Sequence, residues 1–528
     1  MAITWPVPAI LLVALLAITV PLLVRMPLAT DVVLYDMQAA NIMAGGIACH
    51  DYVEPNLPGV VWIHMAVRSL VGTSWEALRI VDILFYAATV GMLIAWQPGR
   101  SATRRLWAAF ILFWMYTCVS EWNHCQRDIW LLVPALAALH LRARQAERAG
   151  QGGSTLAIAG WGLVEGLCWG AGVWLKPFVM VPAICAWVAS NGAKRRFAIR
   201  AADLAGLVLG GLIVGAAGIA WMVANGAWPA FVETMTGWNP EYAAARFAGW
   251  TSPQRMGAMV WRFFPWIFLH LAAIPTAIAA LRTTMRARLL ATFYLAWLVQ
   301  SVLVQHLFDY VHLPGIVLAV GMLADWGWNV RWRRAAVWGF CLVAMISSGV
   351  FRTDRLAYWC PSEDDMPAEV HARLARLNQV NWVDLQRVAY YLGDMHLADG
   401  ELTCLNSTLV YLYPMLNLKP STRFIFLDSL YMFCPSHRPE IERAVQSSRQ
   451  RYVVADLVTA GVPAAVADRG KSALAQMTAG GAANGSFPWS QEPVFRSGRY
   501  VVYRVKPPIG PLQIQLPPPP IRQPVAAL

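Results

Sequence analysis

Charged residues are scarce in this chain of 528 residues, and their scarcity excludes an ordinary soluble protein. Only 14% of the residues are charged, whereas 58% are hydrophobic and the mean hydropathy is +0.46. Soluble globular domains carry about 25% charged residues. The composition therefore predicts a polytopic membrane protein.

Acidic residues are the rarer of the two charge classes, which leaves a formal net charge of +12. Such a balance could indicate a nucleic-acid partner. The basic excess, however, lies in five short segments between apolar runs, around Arg100, Arg142, Lys194, Arg282 and Arg331. Basic loops that alternate with cation-poor loops follow the positive-inside rule. The charge therefore indicates cytoplasmic loops, and no nucleic-acid partner is expected.

Metal-binding cysteine patterns are also lacking. The nine cysteines show no spacing typical of a zinc site. Cys404 with Cys434, or either with Cys360, could form a disulfide in an oxidising compartment, and the sequence does not choose among these pairs.

Apolar runs predict about eleven membrane spans, with the N-terminus inside and everything after Phe351 outside. The predicted spans are 3–24, 74–96, 106–120, 129–141, 155–175, 178–190, 204–224, 257–281, 289–304, 314–328 and 335–351.

Three regions are expected along the chain. Residues 1–351 form a helical transmembrane domain whose first outer loop covers 25–73, residues 352–506 return to soluble composition, and residues 507–528 form a proline-rich tail. The second region is predicted to be an extracytoplasmic α/β domain with strands at 402–416, 423–427, 452–458 and 500–505 and helices at 367–392 and 439–450. The fold class is therefore mainly α.

The first outer loop is the most informative stretch. It carries Asp31, Asp36, His50, Asp51 and Glu54 beside a hydrophobic core, where ionisable groups are costly and often functional. Thr30 or Asp31 is expected to cap a short helix that ends before Gly45-Gly46, and Pro58–Val71 is expected to form a second short helix at the membrane surface.

This loop, DVVLY…IMAGG…HDY…EPNLPG, resembles the first outer loop of GT-C fold glycosyltransferases, a superfamily that includes protein O-mannosyltransferases, the aminoarabinose transferase and uncharacterised bacterial relatives. Stretches at 125–139, 166–182 and 308–320 are also similar to the bacterial relatives. Two departures stand out: Val32 replaces a frequent second acid, and Glu54-Pro55-Asn56 replaces a frequent Lys-Pro-Pro.

The resemblance implies inverting transfer of a sugar from a polyprenyl-monophosphate donor to an envelope acceptor, at the outer face of the bacterial inner membrane. It implies that Asp31 is the general base, although an Asp at this place could also only cap the helix. Asp51 could orient the acceptor or stabilise a turn. Tyr35, His50 and Glu54 are candidate substrate-binding residues, and His50 and Glu54 could also be solvated. A divalent cation held by some of these groups is left open.

Later loops supply further candidates for substrate binding. Arg127 could bind phosphate or pair with Asp128. Lys176 could bind phosphate or extend to the interface. Tyr310 and His312 could line the same cavity, although a lone histidine is often simply hydrogen-bonded.

Two rival functions remain: a non-catalytic transporter or export component, and an O-antigen ligase or polymerase that uses a pyrophosphate-linked donor. Transporters usually show paired halves with ionisable residues at the midplane, whereas here the ionisable residues cluster at one face. The predicted partners are the lipid-linked donor, the envelope acceptor and membrane lipids.

Overall fold

A computed structural model describes most of the chain. The described residues are 6–96, 101–119, 121–150, 154–191, 196–245, 265–305, 308–326, 380–459, 487–489 and 491–506, with positions 339, 340, 342, 343 and 346.

The described residues are mostly helical, as the sequence predicted. The helices are α1 (Pro6–Arg25), α2 (Thr30–Met43), α3 (Gly59–Leu70), α4 (Trp75–Ala95), α5 (Ala102–Cys118), α6 (Arg127–Trp130), α7 (Leu132–Gly150), α8 (Thr155–Leu175), α9 (Met180–Ser190), α10 (Phe197–Ala224), α11 (Trp228–Glu233), α12 (Asn239–Ala245), α13 (Leu269–Ala280), α14 (Met285–Leu303), α15 (Asp309–Trp326), α16 (Trp382–Gly393), α17 (Leu412–Leu416), α18 (Leu427–Phe433) and α19 (Arg438–Ser447).

The first ten predicted spans overlap helices wherever the structure describes them, although 257–264 of the eighth span and 327–328 of the tenth lie outside the described residues. The eleventh, 335–351, lies largely outside them. Among the described residues, four helices are long and apolar enough to cross a membrane: α1, α4, α8 and α10. Hydroxyl caps start several long helices. Ser74, Ser154 and Thr284 each accept a hydrogen bond from the backbone N–H three residues later, which satisfies an otherwise unpaired donor.

Helices α8 and α10 pack closely along their length because glycines line the contact. A Cβ atom at Gly166 would collide with the carbonyl oxygen of Leu207, and one at Gly210 would collide with that of Leu163. Small residues four apart allow backbones to approach in this way in membrane helices.

One arginine of the expected cytoplasmic loops is instead fully buried. Arg142 lies inside α7 and forms ion pairs of 2.6 Å with Glu165 of α8 and Asp203 of α10. Gln145 and Trp187 donate further hydrogen bonds to Asp203. The network ties four helices together, because a buried charge needs a partner in a medium of low dielectric constant.

The chain divides into two compact units. The first comprises Met1–Ala29, Leu57–Ala224 and Gly249–Pro361, and the second comprises Thr30–Asn56, Asn225–Ala248 and Ser362–Leu528. The first-loop helix α2 thus belongs to the second unit.

Arg423 links three segments of the second unit. Its carbonyl oxygen accepts a hydrogen bond from the Val53 N–H at 2.9 Å, and its guanidinium contacts Glu233 and Glu440. The first loop, the segment 225–248 and the C-terminal part are therefore joined through this residue.

The second unit contains a four-stranded sheet with the order β1-β2-β4-β3. The strands are β1 (Leu402–Cys404), β2 (Tyr452–Asp456), β3 (Glu492–Ser497) and β4 (Tyr500–Arg504). β1 and β2 are parallel, and the other two pairings are antiparallel. Strand β2 is buried along its whole length and forms the centre of the core.

Two strand predictions were wrong in this unit. The run 402–416 forms only the short strand β1 before a helical turn and α17, and the run 423–427 is a loop that leads into α18. Short apolar runs fit a buried helix as well as a strand, so their periodicity did not discriminate.

The pairing of Cys404 with Cys434, one of the alternatives that the sequence left open, is not formed. Both side chains are buried and free, whereas Cys360 lies outside the described residues.

Candidate active site

Asp31 lies in the first turn of α2, as the sequence predicted for a residue at the start of this helix. Its side chain is half-buried, whereas the neighbouring Val32, Val33 and Leu34 are buried. The N-terminal end of a helix carries partial positive charge and stabilises a carboxylate. Tyr35, one turn later and on the same face, is buried.

Asp51 holds together the loop that follows α2. Its Oδ2 accepts hydrogen bonds from Asn41 Nδ2 at 2.8 Å and from the Ile47 N–H at 2.9 Å, and its Oδ1 lies 2.9 Å from His50 Nδ1. Partial burial raises the pKa of Asp51, but the hydrogen bonds from His50, Asn41 and Ile47 outweigh it, so the pKa lies below its usual value.

Two glycines make this loop possible. Gly45 adopts a φ of +93°, which ends α2 in a conformation that side chains rarely adopt. A Cβ atom at Gly46 would occupy the space of the Asn41 amide and the Asp51 carboxylate. The loop therefore requires glycine at position 46 to keep the hydrogen bond between these two side chains.

His50 and Glu54 have different surroundings in the same loop. The His50 side chain is 63% exposed, whereas Glu54 is half-buried and accepts a hydrogen bond from Asn56 Nδ2. Within the described ranges, no three His, Cys, Asp or Glu side chains lie close enough together to hold a metal ion. The described residues therefore give no support to the divalent cation that the sequence left open.

A buried ion pair joins two predicted residues of the first unit. Lys176 Nζ lies 2.6 Å from Asp128 Oδ1, and both side chains are buried. Lys176 directly follows α8, and Asp128 lies in the single turn α6. Asp128 Oδ2 has no hydrogen-bond partner among the described residues, so it can accept one from a bound molecule.

Tyr310 and His312 of α15 lie at the same place. Lys176 Nζ is 5.8 Å from the centre of the Tyr310 ring, within the range of a cation–π contact. His312 is buried and lies within electrostatic reach of Lys176. Arg127, also buried, is the neighbour of Asp128 in α6. A lysine, a carboxylate, an aromatic ring and an imidazole thus lie close together from three chain segments, with Arg127 next to Asp128 in the sequence.

The ten predicted residues fall into two groups according to the unit that contains them. The second unit holds Asp31, Tyr35, His50, Asp51 and Glu54, and the first unit holds Arg127, Asp128, Lys176, Tyr310 and His312.

Sequence reasoning missed a buried polar network in α4. Asp82 accepts hydrogen bonds from Tyr116 and Trp130, and Arg79 donates to the carbonyl oxygens of Met26 and Pro27. Arg79 and Asp82 in the interior of the apolar stretch 74–96 were the available signal, because ionisable residues are rare within spans.

The sequence matches no protein-family model and no curated protein. The comparison of structures identifies the class of fold: the chain has the GT-C fold, which confirms the fold that the resemblance of the first loop implied.

The solved structure that carries this result is that of ArnT from Cupriavidus metallidurans bound to undecaprenyl phosphate. The match covers 97% of this chain and 100% of ArnT, with a TM-score of 0.55 and 15% sequence identity. At this identity the likeness establishes the fold.

Proposed function

We propose that this protein is a glycosyltransferase that moves a sugar from a polyprenyl-monophosphate donor to an envelope acceptor on the extracytoplasmic face, with inversion. The observation that carries the proposal is the full-length likeness to ArnT, a protein crystallised with undecaprenyl phosphate. The predicted acid at the start of α2 and the buried cations of the first unit supply side chains suited to this chemistry.

Asp31 is proposed as the general base. Inverting transfer needs a group that removes the proton from the acceptor hydroxyl while that oxygen attacks the anomeric carbon. A carboxylate at a helix N-terminus is favoured in its ionised form, and Asp31 is only half-buried, so it can meet an acceptor. Four further residues are proposed to bind and orient the acceptor: Tyr35, His50, Asp51 and Glu54.

Arg127 and Lys176 are proposed to bind the donor phosphate. Negative charge grows on the phosphate as the glycosidic bond breaks, and fixed cations stabilise that charge best when water is excluded. Burial of both side chains supports this role. Asp128 holds the ammonium in place, and Tyr310 and His312 are proposed to line the same pocket.

The proposal extends to the placement of the chain in the membrane. Residues 1–351 are the transmembrane part with the catalytic loop 25–73, and residues 352–506 form a domain on the extracytoplasmic side, followed by a tail at 507–528. Apolar helices supply the surface that an isoprenoid chain needs. The transferred sugar is a hexose or pentose, and the acceptor is a lipid, glycan or protein hydroxyl.

A transfer assay tests the proposal. Purified protein in proteoliposomes receives a set of undecaprenyl-phosphate-linked sugars together with envelope extract from a strain that lacks the gene. We expect free undecaprenyl phosphate and one new glycosylated product, each identified by mass spectrometry. The corresponding glycan should be missing from the deletion strain. Unchanged donors in every reaction, with unchanged envelope glycans in the deletion strain, would contradict the proposal.

A further inference from the structure

The short helix α6 is one turn of four residues, Arg127–Trp130, which joins the long helix α7 through Leu131. A single turn makes too few backbone hydrogen bonds to be stable alone, so its orientation depends on α7 and on tertiary contacts. Yet it carries Arg127 and, through Asp128, the ion pair with Lys176. The contacts that orient this turn therefore also decide where these charges lie.

Both ends of α6 are held by α4. At the start, Cys125 adopts a φ of +57°, is fully buried and directs its Sγ to the Leu78 carbonyl oxygen at 3.8 Å. At the end, Trp130 Nε1 donates a hydrogen bond to Asp82 Oδ1 at 2.8 Å. Leu78 and Asp82 are four residues apart, so one face of α4 provides both anchors.

Asp82 is shared by further side chains. Its Oδ2 accepts a hydrogen bond from the Tyr116 hydroxyl at 2.5 Å and lies 3.7 Å from His124 Nδ1. The carboxylate is 1% exposed and lies within an apolar helix, where a charge is costly. Its hydrogen bonds offset that cost, and the bond from Trp130 fixes the position of α6 relative to Asp82.

We propose that Asp82 is a positioning residue for the donor-phosphate site, acting through Trp130. Arg127 and Trp130 are three residues apart and lie on adjacent parts of one helical face, so a rotation that moves the indole also moves the guanidinium. Asp128 lies in the same turn, so this rotation would also move its ion-pair partner Lys176. This inference rests on the proposed function, because it assigns Asp82 to the phosphate ligands of that function.

Two variants that each remove one hydrogen bond from the same carboxylate test the proposal. Trp130→Phe removes the bond to α6, and Tyr116→Phe removes the bond to α5. In full-length protein in detergent, we expect Trp130→Phe to weaken binding of undecaprenyl phosphate by about five- to tenfold. Tyr116→Phe should weaken this binding by less than about twofold, although it should lower Tm by about as much as Trp130→Phe does. Titration by native mass spectrometry measures both constants.

A second pair of variants keeps the test informative if Trp130→Phe does not fold. In Asp82→Asn, the amide oxygen still accepts the Trp130 indole N–H and the amide nitrogen can donate to the Tyr116 hydroxyl, so binding should stay near the wild-type value. Asp82→Leu removes both acceptors and should weaken binding about as much as Trp130→Phe. A purely stabilising role for Asp82 predicts instead that Asp82→Leu lowers Tm but leaves binding by the folded protein unchanged.

The outcomes separate the two proposals. Equal weakening in Trp130→Phe and Tyr116→Phe, unchanged binding in Trp130→Phe, or unchanged binding in folded Asp82→Leu would overturn the positioning role of Asp82 while the proposed function stands. A wild-type protein that binds no undecaprenyl phosphate would overturn both.

Discussion

At the scale of single residues, Asp31 and Lys176 each owe their position to a specific local feature. Asp31 is placed by the first turn of α2, and Lys176 is placed by its ion pair with Asp128. The two features support different roles. A half-buried carboxylate can exchange a proton with a substrate, whereas a buried ammonium in an ion pair serves as a fixed charge.

The variant Asp31→Asn tests the role of general base. We expect turnover to fall by about 10² to 10⁴-fold, since the amide cannot take a proton, with little change in Tm. Asp36→Asn, the same exchange later in α2, is the matched control and should retain transfer. Rates are measured with saturating donor. Near-normal turnover of Asp31→Asn would end its assignment as the base.

A double-mutant cycle tests the ion pair of Lys176 with Asp128. Lys176→Met leaves a buried carboxylate unpaired, which should lower the free energy of unfolding by about 3–5 kcal/mol. The double variant Lys176→Met with Asp128→Leu removes both charges and should recover most of that stability. It should not recover binding of undecaprenyl phosphate, because the phosphate still lacks its cation. Recovered binding in the double variant would show that Lys176 acts only through the fold.

At the scale of elements, the Asp51 carboxylate stabilises the loop after α2 in addition to the backbone hydrogen bonds of that loop. A lowered pKa means that the folded state binds the Asp51 proton less tightly than the unfolded state. The stabilisation is therefore fully present above the ordinary value of 3.8 and is lost as the pH falls through the lower value of the folded protein.

The predicted result is a pH-dependent difference between wild type and Asp51→Asn. The Tm of Asp51→Asn should lie below that of wild type by a constant amount at neutral pH, and this difference should shrink as the pH falls below 3.8. Thermal unfolding in detergent at several pH values measures it. A difference that stays constant or grows at acidic pH would contradict the assignment of these hydrogen bonds to the ionised carboxylate.

The exchange Gly46→Ala is expected to disturb the same loop through sterics alone. The new Cβ atom would displace the Asn41 amide from Asp51. At Gly45 a Cβ atom has open space, so Gly45→Ala reports only the backbone strain of a positive φ. Hydrogen exchange of the Ile47 amide should rise more in Gly46→Ala than in Gly45→Ala. Equal hydrogen exchange of the Ile47 amide in the two variants would contradict this prediction. It would show that Asn41 and Asp51 make room for the Cβ atom without loss of stability in the loop.

The sequence predicted the secondary structure of the long apolar runs correctly, whereas two of the short runs were predicted wrongly. The spans predicted at 74–96 and 155–175 match α4 and α8 to within a residue, because long apolar runs between caps have one plausible structure. The runs 402–416 and 423–427 were predicted as strands, yet contain mostly turns and helix. Burial in a core makes both structures apolar all round, so composition alone did not separate them.

At the scale of the whole molecule, the orientation in the membrane is the most general prediction. The alternation of basic loops places residues near Thr284 in the cytoplasm and the chain after Phe351 outside. Alkaline phosphatase, which is active only outside the cytoplasm, should be active when fused after Lys506 and inactive when fused after Thr284. Green fluorescent protein at the same positions should give the reverse pattern. The opposite result at either position would overturn the orientation and, with it, the extracytoplasmic reaction.

The sequence alone determined that this is a membrane protein, where its long helices lie, and which loop resembles that of GT-C glycosyltransferases. Those conclusions rest on hydropathy, caps and a local motif, all of which act over short distances along the chain. Only the tertiary structure decided that Lys176 pairs with Asp128, 48 residues away, and that Asp82 holds Trp130, also 48 residues away. A buried charge in an apolar helix requires some partner, but helix packing chooses which one, and that choice depends on contacts that a linear pattern does not contain.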